Sequence, residues 1–377
     1  MTTPVDDISA PGRLADPDEG ITLDELLLAS RNHAMPMEAL RDDVTPAGLH
    51  YVLVHYDIPS VDAATWQLAV TGEVERPLTV DLERLRSMPS RTVRVTMECA
   101  GNGRAALSPR AISQPWLNGA VGTADWTGIP LRALLDEAGL RTQAHSVAFA
   151  GLDHGIERGV EQDYERGLTL DEAVGDDVLV AFEMNGAPLP PQHGHPVRLV
   201  VPGWYGMAHV KWLTSVTVLD HPYEGFQNAV AYRLRQERGE RGEAITRINP
   251  RALLVPPGFP DFQTRARVVR AGSVDLQGRA WSGWAPVERV EVSTDDGATW
   301  SDAELDRGAD RWAWRRFTFG WEARPGRHLL RARATDASGR VQPTEPQWNL
   351  GGFTNNADQA VVVHVLEPAV SPPEGPP

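Results

Sequence analysis

The texture of this chain changes near residue 250, and that change limits what it can fold into. From residue 262 to 366 it is written as short alternating strands with turn signals every 8 to 12 residues. VERVEVSTDDGATW reads as a hairpin with Asp-Gly at its turn, and RWAWRRFTF, HLLRARATD and AVVVHV each alternate. Seven of the 12 Trp lie past residue 250. Strands of this length bury an apolar face only by packing sheet on sheet, so an all-β immunoglobulin-like sandwich is expected there. With one cysteine in the chain, Cys99, it has no intrachain disulfide.

Between Tyr51 and Leu219 the pattern is different: short strands alternate with helices. VRVTM (93–97) alternates and runs into a Gly-rich loop, and HSVAFAG, VLVAFEMNG and PVRLVVPG read as strands bounded by turns. Pro130 to Leu140 reads as a helix, with Pro in its first turn and Gly139 near its end. Thr22 and Glu25 make a capping box that opens an earlier helix. The class is therefore α+β, without the regular βαβ rhythm or the GxGxxG loop of a dinucleotide fold. The charge-dense run from Tyr232 to Asn249 reads as a connector. The expected division is a disordered stretch over 1–20, a mixed α+β domain over 21–248, the sandwich over 249–367 and a disordered Pro-rich tail over 368–377.

Thirty-six basic against 51 acidic side chains leave a net charge of −15, which argues against a nucleic-acid partner but allows a small basic pocket. No apolar run approaches the 18 or so residues of a membrane helix, so no membrane partner is expected. The N-terminus is acidic and lacks the apolar core of a secretion signal, so a cytoplasmic location is expected.

Two segments carry chemistry. In MECAGNGR (97–104), Cys99 leaves a strand into a loop with two glycines, and Arg104 follows. A lone cysteine is most often a small buried hydrophobe. A thiolate beside positive charge is also a soft metal ligand. One thiolate cannot hold zinc alone, so a metal on Cys99 would take most of its coordination from a cofactor. In PQHGHPVRLVVPGWYGMAHVKWL (191–213), His193, His195, Arg198, His209 and Lys211 fall together, and Lys211 is the only lysine of the chain. Several cations around a Gly-rich turn suit a phosphate group. For any one of these residues, a surface charge or a core histidine is the plainer reading.

These segments resemble the molybdopterin domain of the sulfite oxidase family. Cys-Ala-Gly-Asn followed by Arg is matched by Cys99 to Asn102 and Arg104, and FAGLDHG and VLVAFEMNGAPLPPQHGHPVRLVVPGWYGMAHVKWL extend the match. VEVSTDDGATW, WAWR, RATDASGRVQP and WNLGGFTNN resemble that family's dimerisation domain, so the resemblance runs from about residue 35 to 366. It implies a molybdenum–molybdopterin (Mo-pyranopterin) cofactor in the first domain and a homodimer built by the second. Cys99 matches the thiolate that binds molybdenum. Tyr51, His55, Asp153, His193, Arg198, His209, Val210 and Lys211 match cofactor-binding positions. Arg104, Tyr232, Trp116 and His55 match the substrate side.

Three departures accompany the match. Leu53, Gly103 and Gly351 stand where the family, or some of its members, carries arginine. No heme, Fe–S or flavin motif is seen, so a separate electron acceptor is expected. The activity implied is oxygen-atom transfer on a small anionic or oxo-transfer substrate, with sulfite oxidation to sulfate foremost. The same cofactor acting on a sulfoxide, nitrate or an organic sulfur compound is the alternative, and a non-enzymatic binding protein is the rival from another class.

Overall fold

The computed structural model describes residues 4–5, 8–9, 12–308 and 310–368. The expected disorder over 369–377 and at residues 1–3, 6, 7, 10 and 11 lies outside the described residues. The chain divides into two units.

The first unit takes in the chain up to Met35, Val44–Ile248 and Pro346–Asn355. Its helices are α1 (Leu23–Arg31), α2 (Leu82–Ser87), α3 (Leu131–Ala138) and α4 (Leu170–Ala173). Its strands are β1 (Gln67–Gly72), β2 (Leu78–Asp81), β3 (Arg91–Glu98), β4 (Val121–Pro130), β5 (Ser146–Glu157), β6 (Val160–Thr169), β7 (Leu179–Met184), β8 (Ala187–Pro188), β9 (Arg198–Val200), β10 (Leu213–Leu219), β11 (Arg233–Leu234) and β12 (Glu243–Ala244). One sheet runs β2-β1-β10-β5-β6, with β1 parallel to β10; a second runs β3-β4-β7-β8, with β9 on β7. Leu68 and Val70 of β1, Phe149 of β5, Val180 of β7 and Val216 of β10 share a core with Leu131, Leu134 and Leu135 of α3.

Local chemistry explains the helix ends. Thr22 and Glu25 close a reciprocal capping box on α1, and Gly139, at φ 73°, ends α3 in a conformation that favours glycine. Glu25 is buried, and Arg110 meets it at 2.7 Å.

The structure differs from expectation in four places, one being that Pro36–Asp43, expected in the α+β domain, belongs to the second unit. Within the stretch expected to be disordered, Leu14 bridges Ala111 and Arg13 pairs with Glu19 at 2.7 Å. The connector over 232–249 contains the hairpin of β11 and β12, and it buries Ile245 and Ile248. The linear domain order is also broken. Pro346–Asn355 belongs to the first unit, where Trp348 Nε1 donates to Pro109 O at 2.9 Å and Leu350 N to Arg235 O at 2.8 Å.

The second unit takes in Pro36–Asp43, Asn249–Glu345 and the chain from Asn356. Its strands are β13 (Arg251–Leu254), β14 (Phe259–Pro260), β15 (Arg267–Arg270), β16 (Gly272–Trp281), β17 (Val287–Ser293), β18 (Ser301–Asp302), β19 (Glu304–Leu305), β20 (Arg315–Ala323), β21 (Gly326–Asp336) and β22 (Val361–Leu366). They form two sheets, β13-β16-β20-β19 and β14-β15-β22-β21-β17-β18. Alternate residues of both sheets, among them Leu276, Val290, Phe317, Trp321, Leu330 and Val363, fill one core. Between β17 and β18, Asp296 and Gly297 both adopt positive φ, as an Asp-Gly turn requires. Residues 36–43 join this unit through Arg279, whose guanidinium meets Asp43 at 2.8 Å and Arg41 O at 2.8 Å. No helix among the described residues is long and apolar enough to cross a membrane.

Candidate active site

β3 delivers Cys99 to the start of its loop, where the thiol is buried. Asn102 ties the loop shut. Its amide donates to Glu98 Oε1 at 3.1 Å and Asn118 O at 3.3 Å, and its carbonyl accepts from Ala120 N at 3.1 Å. Gly103 has φ 87°, and a Cβ there would stand 2.9 Å from Asn355 O. That crowding and the positive φ favour glycine there. Arg104 is also buried. Nε donates to Gly351 O at 3.1 Å and Nη1 to Gln114 O at 3.1 Å, and Cζ lies 4.9 Å from the Phe353 ring. These partners are neutral, so they leave the positive charge uncancelled. Burial raises the Cys99 pKa, while the Arg104 charge and the Gly101 backbone N–H oppose that rise.

The second cation group comes from β9 and the turn before β10. Arg198 donates to His193 O at 3.0 Å and His209 O at 3.2 Å, and its guanidinium lies 4.7 Å from the Trp126 ring. Lys211 Nζ donates to Leu53 O at 2.8 Å and Gln192 O at 3.2 Å. The sole lysine is thus held by carbonyls. Burial and the neighbouring Arg198 push its pKa down. His209 Nδ1 accepts from Val201 N at 3.1 Å, and Nε2 faces Trp204 O at 3.1 Å, which fixes a neutral tautomer. Burial lowers its pKa to about 3 and that of His193 to about 2. Val210 is fully buried, and its carbonyl accepts from Leu199 N at 2.8 Å. Asp153 sits where a register shift bends β5 between Ala150 and His154; burial pushes its carboxyl up.

On the remaining side, a π turn over Gln227–Ala231 ends at Tyr232, an irregularity often found at functional sites. The Tyr232 hydroxyl lies 2.6 Å from His55 Nε2, and the His55 ring stacks on Tyr164 at 4.5 Å between centroids. Burial holds His55 down to about 3. Tyr51 stacks on His50 at 5.2 Å.

Tyr51, His55, Cys99, Asp153, His193, Arg198, His209, Lys211 and Tyr232 thus line one cavity. Arg104 lines an adjoining open cleft with Arg158, Arg233, Arg235 and Arg238. Trp116 is buried and lines neither space, and its indole N–H has no hydrogen-bond partner among the described residues. His195 does not line the cavity; its Nδ1 faces Leu189 O at 3.2 Å. Sequence reasoning missed His50, Tyr164 and Gln192 in the lining, and Arg166 beside Tyr232. His50, one residue before the Tyr51 segment, and Gln192, inside the 191–213 segment, carried a local signal; Tyr164 and Arg166 carried none.

The residues present fit a molybdenum–pterin group. Among the described residues, the buried His193 Nε2, Arg198 Nε and Asp153 Oδ1 have no hydrogen-bond partner. Unpaired buried polar atoms are costly unless a ligand satisfies them. Arg198 and Lys211 suit the phosphate of such a group, and the Cys99 thiol suits its metal.

The chain matches the oxidoreductase molybdopterin binding domain over residues 55–227 and the Mo-co oxidoreductase dimerisation domain over 245–366. It is 33% identical to mitochondrial sulfite oxidase of Mus musculus, across 96% of this chain and 70% of that protein. Identity to mitochondrial sulfite oxidase of Homo sapiens is 34%, across 89% and 64%. Identity to nitrate reductase [NADH] of Solanum lycopersicum is 31%, across 86% of this chain and 39% of that protein. Among solved structures, the sulfane dehydrogenase SoxCD of Paracoccus pantotrophus matches with a TM-score of 0.77 at 26% identity, covering 94% of this chain and 90% of that one. The chain belongs to the sulfite oxidase family of molybdopterin-dependent oxidoreductases, with a molybdenum–pterin cofactor and a dimerisation domain of its own.

Proposed function

We propose that this enzyme oxidises sulfite to sulfate and passes the electrons to a separate acceptor. The observation that carries the proposal is Arg104: a buried guanidinium held by two neutral carbonyls, close enough to Cys99 and Tyr232 to act electrostatically on both. A buried cation with no carboxylate partner is stabilised by an anionic ligand.

The cofactor supplies the oxygen-atom transfer. This chain's residues do the rest. Cys99 would hold the metal; His193, Arg198, His209 and Lys211 would hold the pterin phosphate, with Asp153 on the pterin side. Arg104 binds the anion and orients it. Tyr232, hydrogen-bonded to a neutral His55, places a proton donor at the pocket, and that pair can accept and release a proton during turnover. Trp116, buried with an indole N–H that has no partner among the described residues, would offer that donor on the substrate side.

A second reading is favoured by the cleft around Arg104. Six of its lining residues are arginines, at positions 13, 104, 158, 233, 235 and 238, and it is wide and open. Leu53 and Gly351 add no charge of their own. A larger anion, such as an organic sulfur compound with a sulfonate end, would use that width; the solved relative is by name a sulfane dehydrogenase.

The test is sulfite added without oxygen to purified protein of measured molybdenum content, with ferricyanide-coupled turnover as readout. Fast turnover at micromolar sulfite supports the first reading. Molybdenum-loaded protein that ignores sulfite removes it, and larger sulfur anions are then assayed the same way.

A further inference from the structure

Arg166 on β6 is buried at 3% exposure and belongs to no group singled out in the sequence. Nη1 donates to Gln227 O at 2.5 Å, on the π turn that ends at Tyr232. The next residue, Gly167, is clasped on both sides by Asn228: its N–H reaches Oδ1 at 3.2 Å, and its carbonyl accepts from Nδ2 at 3.0 Å. β6 therefore grips the turn at two successive residues. Arg166 Cζ also lies 5.5 Å from the centre of the Tyr232 ring, on whose hydroxyl His55 closes at 2.6 Å. Arg166 Nε has no hydrogen-bond partner among the described residues, and the groups that act on its charge are Tyr164, Tyr232 and Tyr223, with no carboxylate among them. Burying a guanidinium this way is costly, and a neutral side chain would hold one carbonyl more cheaply.

We propose that Arg166 is a positioning residue for Tyr232. From β6 it fixes the turn that carries the tyrosine and sets a positive charge against its ring, which the segment bearing Leu53 does not supply. The inference rests on the oxygen-transfer reading for its kinetics, not for its structural basis. Arg166 does not line the cavity, so its loss should lower kcat and leave KM for the anion nearly unchanged.

The test is a double-mutant cycle in molybdenum-loaded full-length protein with sulfite: Arg166→Met, Tyr232→Phe and the pair, with Arg166→Lys alongside. Arg166→Met should lower kcat by about ten-fold, Arg166→Lys should recover most of it, and Arg166→Met should change little in the Tyr232→Phe background. A second readout needs no turnover. His55, identified by difference from His55→Gln, is followed by histidine NMR across pH. Its ring is faced by Lys211, Arg31 and Arg166 as charges and by Tyr56, Tyr164 and Tyr232 as rings. Removing the Arg166 charge should move its titration upward, and Arg166→Lys should not. A wild-type enzyme inactive on sulfite would sink the sulfite reading, while the NMR arm still decides this one. A kcat loss that persists in the Tyr232→Phe background, or a His55 titration that stays put, overturns the proposal. If Arg166→Met does not fold, Arg166→Gln takes its place in the cycle.

Discussion

At the residue scale, the site separates two jobs, and two substitutions read them apart. Cys99→Ser replaces a soft sulfur by a hard hydroxyl of similar size at a buried position. It should abolish turnover while the fold, followed by circular dichroism, persists; an active variant would remove the thiolate role. Lys211→Met keeps the stem but deletes the ammonium that Leu53 O and Gln192 O hold. Its expected effect is a fall in bound pterin and molybdenum, measured on the purified protein, before any effect on KM. Much of this was legible in the sequence, because Cys99 and Lys211 each occur once and sit in recognisable strings. Arg166 was not. Asp163 and Glu165 beside it in DYERGL are charged, which reads as a solvated stretch, and the tertiary packing of β6 on the π turn buries it.

At the scale of elements, the loop from Cys99 to Arg104 is built so that one added methyl group moves the substrate-side cation. A Cβ on Gly101 would lie 2.6 Å from Cζ, Nη1 and Nη2 of Arg104. Gly101→Ala should therefore push the guanidinium off Gln114 O and raise KM for an anionic substrate, with molybdenum content unchanged. Arg104→Ala should raise the same KM by about ten-fold or more, the worth of one charged hydrogen bond; equal KM in both variants and wild type would take Arg104 out of the pocket. Helix starts such as the Thr22 capping box are local chemistry and could be read directly. The bend of β5 at Asp153, the π turn before Tyr232 and the return of Pro346–Asn355 to the first unit depend on partners distant in sequence, and no local period announces them.

At the scale of the whole molecule, assembly and stability can be predicted. We infer from the dimerisation domain that two copies associate, so light scattering should give twice 41.3 kDa. Stability should also respond to acid in a way that reports on the cofactor. His50, His193 and His209 are buried near Arg198, and burial holds them neutral, at about 4, 2 and 3. In the unfolded chain each has the ordinary value near 6.5. Below that pH the unfolded state binds protons that the folded state refuses, so folding stability is fully present above 6.5 and drains away as the pH falls toward 4. One unit below 6.5, each imidazole costs about 1.4 kcal/mol. A bound phosphate would offset part of this by favouring a protonated ring beside it. The cofactor-free chain should therefore lose Tm steeply between pH 7 and 5.5, and the loaded enzyme less. Equal losses in the two forms would mean that the phosphate does not sit among these histidines, and would move it away from Arg198 and Lys211.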